Sequence, residues 1–215
     1  MWMTKERWSQ THGWSSKNEE DPDSPETPDT FWYYFEKDGK SAVSKWVKFD
    51  SKWYYFDESG HMATGKTEID GATYYLGTEK DGFMRTGWIR LEENSHAPGA
   101  SESWYYFNSD GKMVTTQYDK KIDGSYYTFI DGKMQTGWLL YNNTWYYLSE
   151  SGAMVTGWIT LGDKAYYLGG DGGMLTGWQN IDGQIYYLYP DGHKAVNEVI
   201  DTFYVDQDGI WRKPQ

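Results

Sequence analysis

Cysteine is absent from all 215 residues, so neither disulfides nor thiolate-bound metals hold this chain together. No apolar run approaches the roughly 18 residues of a membrane-spanning helix. The N-terminal MWMTKERWSQTHGW lacks the apolar centre of a signal peptide. Hydrophobic residues make up only 38%, although aromatics reach 19%, with 13 Trp and 20 Tyr. A core of Leu, Ile and Val is therefore not expected. Apolar surface must be buried mainly as flat rings with polar handles, which suits stacked thin layers and leaves ring faces open to a ligand. Basic residues are outnumbered 20 to 32, a net charge of −12. That surface repels phosphate backbones, disfavours nucleic acid and favours cationic partners.

What the chain has in abundance is repetition. TGWLLYNNTWYYLSESGAMV (136–155) is followed at once by TGWITLGDKAYYLGGDGGML (156–175) and TGWQNIDGQIYYLYPDGHKA (176–195). The same anchors align 44–63, 64–85, 86–114 and 115–135. Degenerate ends at 30–43 and 196–215 read as caps of a repeat array over 30–215. Each repeat has a short first run, turn residues such as Asn142-Asn143 or Asp182-Gly183, a Tyr-rich run, then a Gly-containing linker to Met. This is the pattern of a β-hairpin plus linker. No 3.6-residue periodicity persists, and lone hairpins are marginal in water. The expected fold is all-β, a β-solenoid of stacked hairpins of about 20 residues. Segment 92–103, containing Pro98-Gly99, reads as an insertion at a hairpin tip. Residues 1–29 read as a tail with Trp2, Trp8 and Trp14 and an acidic, proline-containing linker. Whether the Trp-bearing part is a divergent repeat, a docked helix or an unrelated vestige stays open.

The tryptophans are uneven. Trp46 and Trp53, and Trp138 and Trp145, open the two strands of their repeats at the same spacing, and Trp88 and Trp104 hold the equivalent places across the longer loop. Across a hairpin, that spacing can bring two indoles to one edge. The next repeat would add a third ring: Tyr74 or Tyr75, Tyr126 or Tyr127, Tyr166 or Tyr167. The linker residues Met62, Met113 and Met154 are candidate floors. A box of ring faces without a carboxylate suits a quaternary ammonium, whose charge is spread over methyl groups that need no hydrogen bonds. Each face contributes roughly 0.5–2 kcal/mol. Three faces give about −4 kcal/mol, a millimolar site. Such rings could equally serve only to pack between layers.

The recurring Thr-Gly-Trp, Trp-Tyr-Tyr, Gly and Met anchors over residues 30–215 resemble the choline-binding repeats of pneumococcal surface proteins and cell-wall hydrolases. The resemblance implies a left-handed superhelix of hairpins. It implies choline or phosphocholine as ligand, bound between consecutive repeats by two Trp, a Tyr and often a Met, with no cofactor. It assigns complete sites to Trp46, Trp53 and Tyr74 or Tyr75; to Trp88, Trp104 and Tyr126 or Tyr127; and to Trp138, Trp145 and Tyr166 or Tyr167. Repeats 64–85 and 115–135 depart from it, with Lys66 and Thr73, and Gln117 and Ser125 or its neighbour, at the Trp places. Trp158 and Trp178 keep the first Trp while Ala165 and Ile185 replace the second. They leave half sites with Tyr186 or Tyr187 and the following repeat, and Trp32 facing Tyr54 or Tyr55 is another. The implied partner is choline-decorated teichoic or lipoteichoic acid, held by a secreted, wall-associated protein whose signal has been removed. The resemblance further admits a host-protein partner and a choline-induced dimer as well as a monomer. It involves no membrane insertion.

No enzyme is expected. The four histidines fall in different segments without an HExxH pair, and no Gly-x-Ser-x-Gly elbow or phosphate loop is present. Asp206-Gln207-Asp208-Gly209 lacks the remaining ligands of a calcium loop. The alternative function is a carbohydrate-binding array, since similar aromatic repeats hold sugars; a sugar site should add polar side chains for hydroxyls.

Overall fold

The computed structural model describes residues 2–4, 31–78, 80–92 and 101–212. The expectations for residues 5–29 and for the loop tip at 93–100 fall outside them. No helix occurs among the described residues, and the strands form antiparallel hairpins. The chain separates into two compact units, Met1–Val114 and Thr115–Gln215.

In the first unit, Lys45–Phe49 pairs with Lys52–Phe56, Lys66–Ile69 with Ala72–Tyr75, and Gly87–Glu92 with Glu102–Phe107. In the second, Gly137–Tyr141 pairs with Thr144–Leu148, Gly157–Leu161 with Lys164–Leu168, Gly177–Ile181 with Gln184–Leu188, and Glu198–Ile200 with Phe203–Val205. The turns are made where the sequence places them. Asn142 and Asn143, with φ of 49° and 60°, occupy the left-handed region that a two-residue hairpin turn requires.

Trp2–Thr4 forms a strand on Trp32–Tyr34, with Trp2 opposite Tyr34. This is the register in which Trp46 stands opposite Tyr55. Trp2 thus holds the first-Trp place of the N-terminal repeat, although residues 5–31 separate it from its partner strand.

Repeat 115–135 is the irregular one. Gln117–Ile122, Ser125–Ile130 and Lys133–Met134 make a three-stranded sheet with a register shift between Tyr127 and Phe129. Thr128 is buried there and donates its hydroxyl to the Tyr118 carbonyl at 2.8 Å.

Within each unit the layers are tied by one recurring bond. The linker amide after each hairpin donates to a carbonyl at the start of the preceding hairpin's second strand: Met84 to Trp53, Met154 to Tyr126, Met174 to Trp145, each at 2.7–2.8 Å. The linker side chain then lies over a glycine of the next linker. A Cβ at Gly172, where φ is +82°, would fall 2.5 Å from the Met154 sulfur, so only glycine fits the layer spacing.

Within each unit the core follows the row of hairpins rather than gathering in a globular centre. One residue per hairpin is almost completely buried: Phe56, Leu76, Phe107, Leu148, Leu168 and Leu188 directly after the tyrosine pair, Phe129 one residue later, and Val205 after Phe203-Tyr204. The expectation of a mainly aromatic core is thus modified. Phe and aliphatic side chains form the dry axis, whereas the Trp rings lie toward the rim, Trp145 being 42% exposed.

Two predictions follow from this architecture. Leu168→Ala, at a fully buried position, lowers unfolding stability by about 2–5 kcal/mol in urea denaturation. The last hairpin depends on pH through Asp206, whose carboxyl is held below its usual range first by the Arg212 hydrogen bond and then by the Ile210 and Asp208 amides. A depressed folded-state value stabilises above the ordinary carboxylate range, and the effect disappears as pH falls through the depressed value. Amide hydrogen exchange at Ile210 is therefore faster in Asp206→Asn than in the parent chain at pH 7, and the two converge in strong acid.

Candidate functional site

The hairpin register dictates where each ring goes. Trp138 lies opposite Tyr147, and Leu140 opposite Trp145, so both indoles lie on one face of the hairpin. The Trp138 and Trp145 rings meet edge to face, with centroids 6.3 Å apart and planes at 88°. Tyr166 of the next repeat comes within 5.1 Å of Trp138 at 69°. Two rings set steeply against Trp138, with Trp145 open to solvent, form the corner of an aromatic box.

The two tyrosines of each pair have different jobs. The second packs across the strand on the Trp of its own hairpin, as Tyr147 does on Trp138 and Tyr167 on Trp158. The first reaches back to the preceding repeat, as Tyr166 does to Trp138, Tyr186 to Trp158 and Tyr74 to Trp46. Of the paired candidates, Tyr74 and Tyr166 therefore stand against the preceding repeat's Trp, while Tyr55 packs on its own Trp46 at 5.3 Å.

In the first unit, Trp46 and Tyr74 are 4.9 Å apart at 63°. Trp53 is 40% exposed, with the Lys48 ammonium 5.6 Å from its ring centre. Trp88 and Trp104 repeat the edge-to-face arrangement at 6.4 Å and 85°. Their candidate third wall, Tyr126 or Tyr127, belongs to the second unit.

The linker bonds group the methionines with hairpins one repeat away from the expected grouping. The amide bonded to the Trp145 carbonyl is that of Met174, not Met154, and the one on Trp53 is that of Met84, not Met62. Met84 packs with Trp46 against the Tyr74 cluster. Met62 instead lines a cleft of about 190 Å³ with Trp32 and Tyr54, and the Met113 amide lies on Thr73. The reason is the linker bond, which at these positions runs to the preceding hairpin.

Several ring positions escape a sequence alignment. The linker of repeat 115–135 is one residue short, so Tyr126, not Ser125, stands at the second-Trp place, as the Met154 amide on its carbonyl shows. Tyr126, Tyr146 and Met154 line an open cleft of about 410 Å³ with Asp119, Asp171 and a stacked Tyr118–Tyr141 pair, whose rings are 4.1 Å apart. At the C-terminal end Phe203 faces Trp178 at 5.7 Å, in the place of the first tyrosine. Trp211 occupies the methionine place, its amide on the Ile185 carbonyl and its ring 5.9 Å from Phe203. The signal for these was the register, which only the folded linkers reveal.

Among the described residues no group of three or more His, Asp or Glu side chains is arranged to hold a metal ion. His61 stacks on Phe31 at 4.0 Å and His193 on Tyr189 at 4.4 Å. Asp206 spends its carboxylate on the Asp208 and Ile210 amides and Arg212, which makes it a turn-former.

The choline-binding repeat profile matches residues 43–88, 120–156 and 155–199, together more than half of the chain. A second profile, for a cell wall binding repeat, matches residues 100–113. A search of the curated proteins gave no match. Among solved structures, CbpJ of Streptococcus pneumoniae TIGR4 is 34% identical with a TM-score of 0.74, covering 85% of this chain and 62% of its own. Choline binding protein F of S. pneumoniae is 35% identical with a TM-score of 0.72, covering 88% and 64%. The modular autolysin LytC of the same organism is 26% identical with a TM-score of 0.61, covering 84% and 40%. The chain therefore spans less than two thirds of the length of each of these relatives. The stacked hairpins are a β-solenoid of the kind these proteins share, and the chain belongs to the choline-binding repeat family.

Proposed function

We propose that the protein attaches noncovalently to phosphocholine groups of cell-wall teichoic acids, through several aromatic boxes acting together. The observation that carries this reading is the Trp138, Trp145 and Tyr166 corner, in which rings from two repeats stand steeply against Trp138 beside the exposed Trp145. A trimethylammonium group bound there loses few hydrogen bonds on leaving water, and each ring face contributes roughly 0.5–2 kcal/mol. Trp46, Trp53 and Tyr74 form the equivalent group in the first unit, with Met84 and Met174 as the respective floors. Trp88 and Trp104 supply two walls of a further site.

Single sites of about millimolar strength are weak. On a polymer that carries many choline groups, engagement of one raises the effective concentration for the rest, and avidity exceeds a single site by about 10²–10⁴. The array is thus the functional element, and its role is anchorage at the cell surface rather than catalysis. The net charge of −12 favours the cationic head group over the phosphates of the same polymer.

One observation supports a second reading, carbohydrate binding. The cleft at Tyr118, Tyr126 and Tyr146 carries the carboxylates of Asp119 and Asp171 beside its rings, which supplies the hydroxyl-binding groups that the Trp corners lack.

Intrinsic Trp fluorescence followed during a choline titration separates these readings. Choline produces a saturable change, while ammonium chloride and maltose oligosaccharides do not; the opposite pattern would overturn the choline reading. Trp145→Ala removes one site from the calorimetric stoichiometry and weakens retention on a trimethylammonium resin. Tyr166→Phe, which keeps the ring face, binds nearly as the parent does, whereas Tyr166→Ala loses at least about twofold in affinity at that site.

A further inference from the structure

Trp158 and Tyr186 stand 5.0 Å apart at 67°, nearly the geometry of Trp138 and Tyr166. Yet Ala165 leaves the second wall of this box missing. The linker place that carries Met174 in the neighbouring box carries Lys194 here. The two are equivalent by backbone: the Lys194 amide donates to the Ala165 carbonyl at 2.8 Å, as that of Met174 does to Trp145 at 2.7 Å. Their side chains start along the same path, since the stem of Lys194 lies against Gly209 as the Met174 side chain lies against Gly192. Beyond the stem, the Lys194 ammonium reaches 5.2 Å from the Trp158 ring centre and 5.7 Å from that of Tyr186. It donates to the Asp208 carbonyl at 2.8 Å.

We infer that the Lys194 ammonium is a built-in occupant of the Trp158–Tyr186 box and closes this interface to free choline. The inference rests on the choline-binding reading for its second half. A primary ammonium differs from a trimethylammonium in needing hydrogen-bond acceptors when it leaves water, and the Asp208 carbonyl provides one. The tethered cation also escapes the translational and rotational cost that a free ligand meets on binding. Against ligand sites of about millimolar strength, it holds the rings first. Acidic groups add to the field: the Tyr186 hydroxyl is pushed up by burial and then by Asp182, Asp206 and Asp208.

Lys48 provides the contrast. It lies over Trp53, its direct cross-strand neighbour, whereas Lys194 lies over rings from two repeats. Lys66, at a first-Trp place, is a simpler form of the same device, its ammonium 5.2 Å from the ring centre of Tyr105 in the next repeat.

Two measurements test this. In the ligand-free protein, the NMR signal of the Lys194 ε-protons is shifted upfield by the ring currents of Trp158 and Tyr186; a signal like that of an exposed lysine overturns occupancy, and this readout needs no choline. In calorimetry, Lys194→Met adds one choline site to the parent stoichiometry, Trp158→Ala leaves the parent stoichiometry unchanged, and Trp158→Ala in the Lys194→Met background removes the gain. Loss of a site from Trp158→Ala alone overturns closure. Lys194→Gln, which removes the charge and keeps a polar chain, serves where Lys194→Met does not fold; no added site in the folded variant also overturns closure. A parent chain that gives no choline isotherm sinks the choline reading instead, while the ring-current shift still decides whether Lys194 sits between the rings.

Discussion

Everything in this molecule depends on a single backbone contact between layers, the linker amide donated to the preceding hairpin's carbonyl. A two-stranded hairpin of about twenty residues has too little surface to bury and is marginal by itself. The contact brings the next hairpin over it and allows one Phe, Leu or Val per layer to join the dry column. Because the contact involves only main chain, it is indifferent to the side chain that makes it. Met84, Met174, Lys194 and Trp211 all occupy the place.

That indifference separates scaffold from site. The position over the box can carry a sulfur, a cation or an indole, and the box itself can gain or lose rings, without disturbing the stack. Trp145, Tyr126, Ala165 and Ile185 are the residues whose carbonyls accept the linker amide in four successive hairpins. Ring chemistry is thus varied on a constant frame, as expected of a repeat array with nearest-neighbour contacts.

Much of this was legible in the chain. Hairpins, turns and repeat boundaries follow from Gly, Asn and Asp at fixed offsets from the Tyr pairs, because positive φ is a demand the sequence must meet openly. The Trp pairs at 138 and 145 announced a ring cluster. What stayed hidden was anything set by contact between repeats. The choice between Tyr166 and Tyr167 follows from strand register, and the displacement of the methionines by one repeat follows from the direction of the linker bond. Repeat 115–135 misled because one missing linker residue moves Tyr126 into the Trp place while leaving the Tyr-Tyr signature visible. Trp2 was hidden by distance along the chain, since pairing with 32–34 across some thirty residues leaves no local pattern.

The glycine beneath each linker side chain has a mechanical meaning. Within a unit the layers are joined neighbour to neighbour, so a unit held at one end and pulled at the other transmits load through its hairpins in series. The interface that yields first releases one repeat, roughly 70 Å of extended backbone at about 3.5 Å per residue, while the remaining layers stay closed. A stack built this way lengthens in steps under load, dissipating force one layer at a time.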